Sequence, residues 1–500
     1  MSRQKFQQSI NFILVIIAVA VSIYVGTSMN GFLRPGLGFL FLLPLCFGLV
    51  SCWIFPVQRL KRSGIAVKVF YIILIIRYLL LPLLMVLTKG SYNALPVTMP
   101  MTTVSKEGYN FAVLAMLIEL FVSMSALRYY SNKFEKKYEI NITSAEIGIK
   151  NRGISVVGLG ITALFMVQLL RRNLSALMST FSFLTIEDKY ENPMTDAYGI
   201  VLALTLKTII FLVLLNFFVK QYRKTTAFRW AIAAAIVAVL NMGIFFGYNR
   251  SLVLQTAITT IYVLYLCFPK YRKAFLFGLI PVVFLTMTSM IFIKQFGVSY
   301  AGAELSNFID FSGVSNTLEC YVCGPWAEAC GYDAAVSAGL RQPIATFFKD
   351  LIGNSFLSYL PGLTWLLNLF PDVVQSTHLH QRFSNSAQMI PLTAQCAYYV
   401  GTIFSPVLSS FFIVGFMRIL VWSDYKGKYC ADIFKKYAYT LNAMLFSFCL
   451  CYTWVTLLWC FTKCMLFVFA FVYLNEFHYA GNGIISRIRT ETSYEKSSIN

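Results

Sequence analysis

The chain of 500 residues is short of charge, and of acidic charge most of all. Asp, Glu, Lys and Arg together make up only 12% of it, whereas about 25% is usual in soluble proteins. Hydrophobic residues account for 58%, so the chain cannot cover itself with a water-compatible surface. These proportions exclude a soluble globular protein and predict an all-α, polytopic transmembrane helix bundle.

Several motifs that would identify a function are missing. There is no Gly-x4-Gly-Lys-Ser/Thr phosphate-binding loop and no His-Glu-x2-His zinc site, so an ATP-driven pump module and a zinc protease are not expected. Glu119 is the only clear carboxylate within an apolar span, whereas ion-driven carriers usually carry more. Arg77 and Lys207 also fall within spans, and each lies near enough to an end to extend its charge to the bilayer surface.

Apolar segments of about 17–25 residues recur along the chain, and each is long enough to cross a hydrocarbon core of about 30 Å. They predict about 12 membrane spans. Ten of these spans are separate segments, and two more are expected within the single apolar run 438–474. The ten are residues 10–28, 34–55, 69–87, 110–127, 153–170, 197–219, 230–247, 251–268, 274–293 and 396–420.

The basic residues give the spans an orientation. The net charge is +20, but Lys and Arg lie in short runs between alternate spans and form no patch that would bind nucleic acid. The positive-inside rule therefore places both termini of this multi-pass protein in the cytoplasm. The runs are Arg59/Lys61/Arg62, Lys133/Lys136/Lys137, Arg223/Lys224, Lys270/Arg272/Lys273, Lys435/Lys436 and Arg487/Arg489.

This topology divides the chain into four parts. Residues 1–293 form an N-terminal bundle of about nine spans, and residues 294–395 form a large periplasmic or extracellular loop. Residues 396–474 return to the membrane, and 475–500 form a cytoplasmic tail. Within the loop, the apolar stretch 347–370 is interrupted by polar residues and by Pro-Gly, so it predicts short interfacial or re-entrant helices.

The long loop holds most of the candidate site residues, which are Arg341, Asp372, His378, His380 and Arg382. Guanidinium groups bind phosphate oxygens in pairs and stay charged at physiological pH, so the arginines suit a lipid-linked pyrophosphate. A further arginine, Arg250, lies in a very short outward turn between two spans. The sequence shows no acidic pair that would hold a metal ion.

Three of the twelve cysteines lie in the same loop, as Cys320, Cys323 and Cys330. Their Cys-x2-Cys-x6-Cys spacing lacks the second Cys/His pair that a zinc site needs. In an oxidising compartment a local disulfide with one thiol left over is the more plausible expectation.

The chain resembles the Wzy-type polymerases of O-antigen and capsular oligosaccharide repeat units. The resemblance is carried by the string of spans, by the turn Tyr248-Asn-Arg-Ser251 that opens a helix, and by the long late outward loop. It continues in the segment Asn385-Ser-Ala-Gln-Met-Ile-Pro-Leu and in Tyr398-Tyr-Val-Gly401 and Phe404-Ser-Pro406. The family's spacing between arginine and glycine in its outward loops is not reproduced here.

The resemblance implies glycosyl transfer at the outer face of the bacterial cytoplasmic membrane. The substrates would be undecaprenyl-pyrophosphate-linked glycans, with a polysaccharide chain-length regulator as a possible partner and with no metal or other cofactor. The attacking hydroxyl needs a base, for which His378 and His380 are the candidates with Asp372 in reserve. Arg250, Arg341 and Arg382 would bind the pyrophosphate, and the two histidines are expected to have different roles.

Three other functions stay open at this stage. A lipid-linked oligosaccharide flippase or other secondary transporter would usually have two similar halves, whereas the long loop here has no counterpart in the first half. A ligase that attaches finished glycan to an acceptor would share nearly all the chemistry. A membrane acyltransferase would need an activated histidine and a route for an acyl donor, for which no clear motif is present.

Overall fold

The computed structural model describes residues 3–28, 37–88, 104–139, 154–171, 197–243, 250–296, 311–340, 342–354, 364–383, 390–479 and 485–487. These residues are mostly helical, as the composition predicts. Two strands of three residues, β1 (Phe477–Tyr479) and β2 (Ile485–Arg487), pair antiparallel in the predicted tail. The α-helices are α1 (Arg3–Ser28), α2 (Leu42–Trp53), α3 (Ile65–Ile75), α4 (Leu81–Leu87), α5 (Lys106–Glu139), α6 (Val156–Leu170), α7 (Ala197–Thr225), α8 (Phe228–Gly243), α9 (Arg250–Cys267), α10 (Arg272–Phe296), α11 (Phe311–Val322), α12 (Pro325–Ala338), α13 (Pro343–Asn354), α14 (Ser376–Phe383), α15 (Leu392–Val400), α16 (Ser405–Tyr429), α17 (Ile433–Phe446), α18 (Trp454–Cys464) and α19 (Leu466–Leu474).

The chain is a helical, multi-pass membrane protein, but the prediction of about 12 spans is wrong. Within the described residues, 6 helical segments are long and apolar enough to cross a membrane. The number becomes 7 if α9 and α10, which meet at a bend of 118°, count as one broken span. The six segments are Asn11–Ser28, Ile65–Leu87, Lys106–Lys137, Val201–Thr225, Ser405–Tyr429 and Trp454–Leu474.

Three of the predicted spans form helices that are too short to qualify. The segments predicted at 34–55 and 153–170 contain α2 and α6, of 12 and 15 residues, and the segment predicted at 230–247 overlaps α8, of 16 residues. At 1.5 Å per residue, a helix of 12 residues covers about 18 Å of a core about 30 Å thick. An apolar segment counts every hydrophobic residue, including those beyond the helix ends, so hydropathy overstates the helix length.

Breaks in the helical backbone interrupt the apolar segments near the C-terminus. Gly401 adopts a φ of 80°, which ends α15, so the span predicted at 396–420 begins at Ser405 instead. The run 438–474 is indeed divided, because α17 ends at Phe446 and α18 begins at Trp454. Only the second part qualifies as a span, since α17 has 14 residues.

The segment predicted as a long outward loop is largely helical where the structure describes it. It contains α11, α12, α13 and α14, and it ends within α15. In α12, 11 of the 14 residues are buried, and this helix packs against α14 and α15. Residues 355–363 of the predicted interfacial stretch lie outside the described residues. The segment therefore supplies part of the protein interior.

The chain divides into two compact units. Unit 1 consists of Met1–Lys133, Tyr300–Asp424 and Ala443–Trp459, and unit 2 consists of Phe134–Ser299, Tyr425–Asn442 and Cys460–Asn500. Unit 1 thus combines N-terminal helices with most of the segment predicted as a loop. Each unit is built from pieces that are far apart in the chain.

Small residues allow the helices of unit 1 to pack closely. A Cβ atom on Gly48 of α2 would collide with Ala18 of α1, and one on Gly331 of α12 would collide with Ala394 of α15. Close backbone approach through small residues is a common basis of helix packing in membranes, where van der Waals contact is a main attractive force.

Carboxylates from distant parts of the chain cap two helices of unit 1. Asp424 accepts hydrogen bonds from the backbone N–H groups of Gly64 (2.6 Å) and Ala66 (3.0 Å) at the start of α3. Asp333 of α12 accepts bonds from the backbone N–H and the hydroxyl of Ser105, both at 2.6 Å, at the start of α5. These oxygens satisfy N–H groups that have no partner within the helix and lie at its positive end.

The span formed by α3 and α4 contains a wider, π-helical turn at Ile76–Leu80. Pro82 explains the turn, because its ring nitrogen has no hydrogen to donate to the carbonyl of Tyr78 and the ring clashes with that carbonyl. Arg77 lies in the turn and is fully buried. Such single π turns within α-helices occur often at functional sites.

A chain of polar contacts joins the helices of unit 2. The amine of Lys207 in α7 donates to the carbonyl of Asn241 in α8 (2.9 Å). The amide of Asn241 donates in turn to the hydroxyls of Thr260 (3.0 Å) and Tyr437 (3.1 Å). Lys207 therefore directs its charge to a helix carbonyl, in contrast to the predicted extension toward the bilayer surface.

We expect Asp424→Ala to lower the free energy of unfolding by about 2 kcal/mol, because the buried N–H groups of Gly64 and Ala66 lose their acceptor. The measurement is equilibrium unfolding of the purified protein in mixed dodecyl maltoside and SDS micelles. Glu107→Ala is the control, since Glu107 is exposed on α5, and a change below about 0.5 kcal/mol is expected there. Equal losses in the two variants would contradict the capping role.

Candidate functional site

The predicted histidines lie on α14, a helix of 8 residues in unit 1. His378 and Arg382 are both exposed, and they are four residues apart, so they share one face of the helix. Asp372 is exposed as well and precedes the helix. The structure thus presents an imidazole and a guanidinium side by side on a short helix; we call this pair the α14 face.

A buried network fixes the position of α14. Asp350 of α13 accepts a hydrogen bond from the backbone N–H of Ser376 (3.1 Å) and one from the hydroxyl of Tyr399 (2.5 Å). The amide of Gln395 donates to the hydroxyl of Ser376 (3.0 Å) and accepts from the backbone N–H of Trp454 (3.1 Å). We call these five residues the Asp350 network.

The Asp350 network is closed to solvent. Asp350, Ser376 and Gln395 have no exposed surface. Burial raises the pKa of the Asp350 carboxyl, while its hydrogen bonds from Ser376 and Tyr399 oppose that rise. The indole N–H of Trp454 adds a further bond to the hydroxyl of Tyr399 (3.2 Å). α14 therefore begins on a rigid, buried support, although its exposed face carries the charged groups.

His380 differs from His378 in its surroundings. It is only 2% exposed, and its Nδ1 lies 3.4 Å from the hydroxyl of Tyr398. Burial lowers the pKa of His380 from the ordinary 6.5 to about 4. His380 is consequently neutral and a weak proton acceptor at physiological pH. The two histidines have different environments, and of the two His378 is exposed to a substrate.

The side chains of the other two predicted arginines, Arg250 and Arg341, lie outside the described residues. Arg250 begins α9, as expected for a turn that opens a helix, but it belongs to unit 2 and its side chain lies outside the described residues. Arg341 also lies outside the described residues. Of the predicted set, the structure therefore brings together His378 and Arg382.

A group of buried charges in unit 1 was missed by the sequence analysis. The Nη2 of Arg77 lies 2.7 Å from Oε2 of Glu119 and 2.8 Å from Oε1 of Glu328. Its Nη1 donates to the carbonyls of Val322 (3.1 Å) and Leu450 (2.9 Å). Arg77 has no exposed surface, so the prediction that it extends to the bilayer surface is wrong.

Two further residues complete this group. The hydroxyl of Thr393 in α15 donates a hydrogen bond to Oε1 of Glu119. Glu319 of α11 accepts from the backbone N–H groups of Trp326 (2.5 Å) and Ala327 (3.2 Å), so it caps the start of α12. Burial raises the pKa of Glu319 to about 7. We call Arg77, Glu119, Glu319, Glu328 and Thr393 the Arg77 cluster.

One sequence signal could have indicated the Arg77 cluster. Pro82 follows Arg77 by five residues within the same span, and a proline there predicts an irregular turn in the helix. Glu328, by contrast, lies in a segment interpreted as an outward loop, where an acidic residue needs no partner. Most of its neighbours in α12 are small or apolar, and this composition indicates that the helix is buried.

The cysteines of the predicted loop form no local disulfide. Cys323 and Cys330 are buried thiols, and Cys323 donates through its sulfur to the carbonyl of Cys451 (3.1 Å). A bridge among Cys320, Cys323 and Cys330 would have to include at least one of those two, so that prediction is wrong. Within the described residues, no group of three or more His, Cys, Asp or Glu side chains could hold a metal ion.

Comparisons with models of protein families, with curated proteins and with solved structures gave no match for this chain. A function must therefore be argued from the chain's own sequence and geometry. Two features of the structure bear on the function: the exposed α14 face and the buried Arg77 cluster.

The low pKa of His380 predicts a loss of stability in acid. As the pH falls from 6.5 toward about 4, the unfolded chain binds a proton at His380 before the folded chain does, so folding becomes less favourable. His380→Gln should remove this part of the pH dependence, whereas His378→Gln, at an exposed position, should leave it unchanged. The measurement is the thermal unfolding midpoint in detergent between pH 7 and pH 4. Identical pH profiles for wild type and His380→Gln would contradict the burial effect.

Proposed function

We propose that the chain is a membrane glycosyltransferase that polymerises undecaprenyl-pyrophosphate-linked oligosaccharide repeat units into a surface polysaccharide, O-antigen or capsule. The reaction would take place at the outer face of the bacterial cytoplasmic membrane, with both termini in the cytoplasm. The observation that carries the proposal is the α14 face, where His378 and Arg382 are exposed together on a helix held by the Asp350 network. The resemblance to the Wzy-type polymerases supports it.

In the proposed reaction, a hydroxyl group of a lipid-linked repeat unit attacks the anomeric carbon of the growing glycan. His378 accepts the hydroxyl proton as the new carbon–oxygen bond forms. The bond between the anomeric carbon and the pyrophosphate breaks, and undecaprenyl pyrophosphate leaves. Arg382 stabilises the negative charge that develops on the leaving oxygens, since a guanidinium binds phosphate oxygens strongly and does not lose its proton.

The arrangement suits this chemistry for two reasons. A pyrophosphate is already a good leaving group, so it needs a cation more than an acid, and no metal is required in the scheme. The base and the cation lie on one helical face, and α14 is anchored at its first residue to Asp350. A rigid support limits the movement of catalytic groups and keeps them in a productive geometry.

Replacing either group of the α14 face should greatly slow polymer formation. We expect His378→Ala to lower the rate about 10²–10⁴-fold and Arg382→Ala about 10²–10³-fold, as is usual for the loss of a base and of a charge-stabilising donor. The measurement is the length distribution of surface glycan in a deletion strain that expresses each variant at the wild-type level in its membrane. Gln381→Ala, at an exposed position on the same helix, is the matched control. Normal glycan length in both variants would remove these residues from the site.

The Arg77 cluster favours a second candidate, a carrier for lipid-linked oligosaccharides. Ion-coupled carriers use carboxylates inside the membrane bundle, and the sequence alone offered only Glu119. The structure adds Glu328 and Glu319, both fully buried and both close to Arg77 or Glu119. A ligase, which would share the chemistry of the α14 face, is the third candidate.

A strain that lacks the chain distinguishes the three functions. If the chain is a polymerase, single repeat units will be attached to the final acceptor, because polymerisation is the missing step. Long lipid-linked polymer that fails to reach its acceptor would contradict the polymerase and indicate a ligase. Single units trapped on the cytoplasmic leaflet would contradict it in favour of a carrier. The measurement is gel and mass-spectrometric analysis of surface and lipid-linked glycans.

A further inference from the structure

The Arg77 cluster contains more acidic groups than basic ones. Arg77 is its one cation, and Glu119, Glu319 and Glu328 contribute three carboxyl groups, all with no exposed surface. Glu119 and Glu328 both bind the same nitrogen, Nη2, so one positive charge faces two carboxyls directly. A buried charge is costly unless it is paired, so two ionised carboxylates on a single guanidinium would leave one negative charge uncompensated.

The hydrogen bonds distinguish the two carboxyl groups. Both oxygens of Glu119 accept bonds, Oε1 from the hydroxyl of Thr393 and Oε2 from Arg77. Glu328 accepts only at Oε1, and its buried Oε2 has no donor among the described residues. An unsatisfied carboxylate oxygen in the interior is unfavourable, whereas a protonated oxygen becomes a donor itself. Glu119 therefore has the contacts of a carboxylate, and Glu328 has those of a carboxylic acid.

The geometry points to a buried proton-binding site in which Glu328 carries a proton that it shares with Glu119. The two carboxyl groups are brought together because both bind Nη2 of Arg77, so the proton on Glu328 is donated to Glu119. With this proton, Arg77, Glu119 and Glu328 together have no net charge. The ligand of the site is a proton taken from water, and the site does not depend on the proposed glycosyl transfer.

The other titratable groups that face Glu328 leave this charge balance intact. Besides Arg77, Glu119 and Glu319, they are Tyr78, Cys323, Tyr332, Cys396 and Cys451. Burial raises the pKa of Cys323, Tyr332 and Cys396 well above the ordinary values, so these groups are neutral at physiological pH. In the part of the chain that the structure describes, Arg77 is then the only cation that acts on the two carboxyls.

Glu328 and Glu319 lie outside the spans, and the shift in the pKa of Glu328 agrees with a bound proton. Burial, followed by the charge of Glu119, raises the pKa of Glu328, and Arg77 opposes the rise. Glu319 also has a buried oxygen, Oε2, without a donor among the described residues, but its Oε1 accepts from two backbone N–H groups at the start of α12, where the positive helix end favours an anion. Burial raises the pKa of Glu319 to about 7, so Glu319 loses its proton as the pH rises through that value.

The proton links α12 to the spans around it. Glu328 lies in α12, Glu119 in α5, and Arg77 in the π-helical turn between α3 and α4. Because the pKa of Glu328 is raised in the folded state, its contribution to stability is complete below its ordinary value of 4.5 and is lost as the pH rises through the folded value. Proton release therefore weakens the attachment of α12.

Glu328→Gln and Glu119→Gln, each alone and then combined, test the proposal on the purified full-length protein in detergent. A glutamine at 328 can accept from Arg77 and donate to Glu119, as the protonated acid does, so the unfolding midpoint of this variant should stay within a few degrees of wild type. In either single variant one carboxylate still neutralises Arg77. The double variant leaves Arg77 unpaired, and its midpoint should fall by at least twice the larger single change.

Infrared difference spectroscopy provides a readout that a purely structural role would not change. Above pH 7, where Glu319 is ionised, the wild type should show one buried protonated carboxyl, and both single variants should lose it. Glu107→Gln, at an exposed position on the helix that carries Glu119, should keep it. The proposal is overturned if the wild type lacks this band, or if Glu328→Gln is as unstable as the double variant, because both carboxylates would then be ionised.

Discussion

The neutralisation of Arg77 is the constraint on which unit 1 depends. A guanidinium does not lose its proton in a protein interior, so it must be surrounded by acceptors wherever it is buried. Its four partners, Glu119, Val322, Glu328 and Leu450, come from three separate parts of the chain. A single side chain thereby fixes the relative positions of the span formed by α3 and α4, of α5 and of the two helices that follow residue 310. Either carboxylate alone can neutralise Arg77, so only the loss of both acidic partners would leave its charge uncompensated.

The chain has few acidic residues, and those buried in unit 1 make specific hydrogen bonds. In a protein with 21 acidic residues out of 500, most of those that are buried in unit 1 have a specific electrostatic task. Asp424 and Glu319 each accept hydrogen bonds from the start of a helix, and so does Asp350 at Ser376. A carboxylate satisfies N–H groups that the helix cannot, and the positive helix end stabilises its charge. The Asp350 network thus supports the α14 face through a hydrogen bond from a backbone N–H to a buried carboxylate, the type of bond that Asp424 and Glu319 also accept in unit 1.

The composition predicted the class of the protein correctly, whereas local hydropathy along the chain predicted the wrong number of membrane spans. Apolar content predicted a helical membrane protein, because apolar surface of that extent needs a lipid environment. The number of spans was overestimated, since α2, α6 and α8 are shorter than the apolar segments predicted there. Glu328 was interpreted as part of a polar loop because hydropathy averages over a window, whereas α12 is buried by neighbours from other parts of the chain.

The sequence by itself determined the class of the protein and the chemistry that its side chains can perform. His378 and Arg382 are four residues apart, so once the segment is helical their common face follows from helix geometry. Only the tertiary structure decided that His380 is buried, that Asp350 anchors α14, and that Glu119 and Glu328 meet at Arg77. The reason is that burial and charge pairing depend on contacts between residues 26 to 251 positions apart, and local sequence patterns do not contain those contacts.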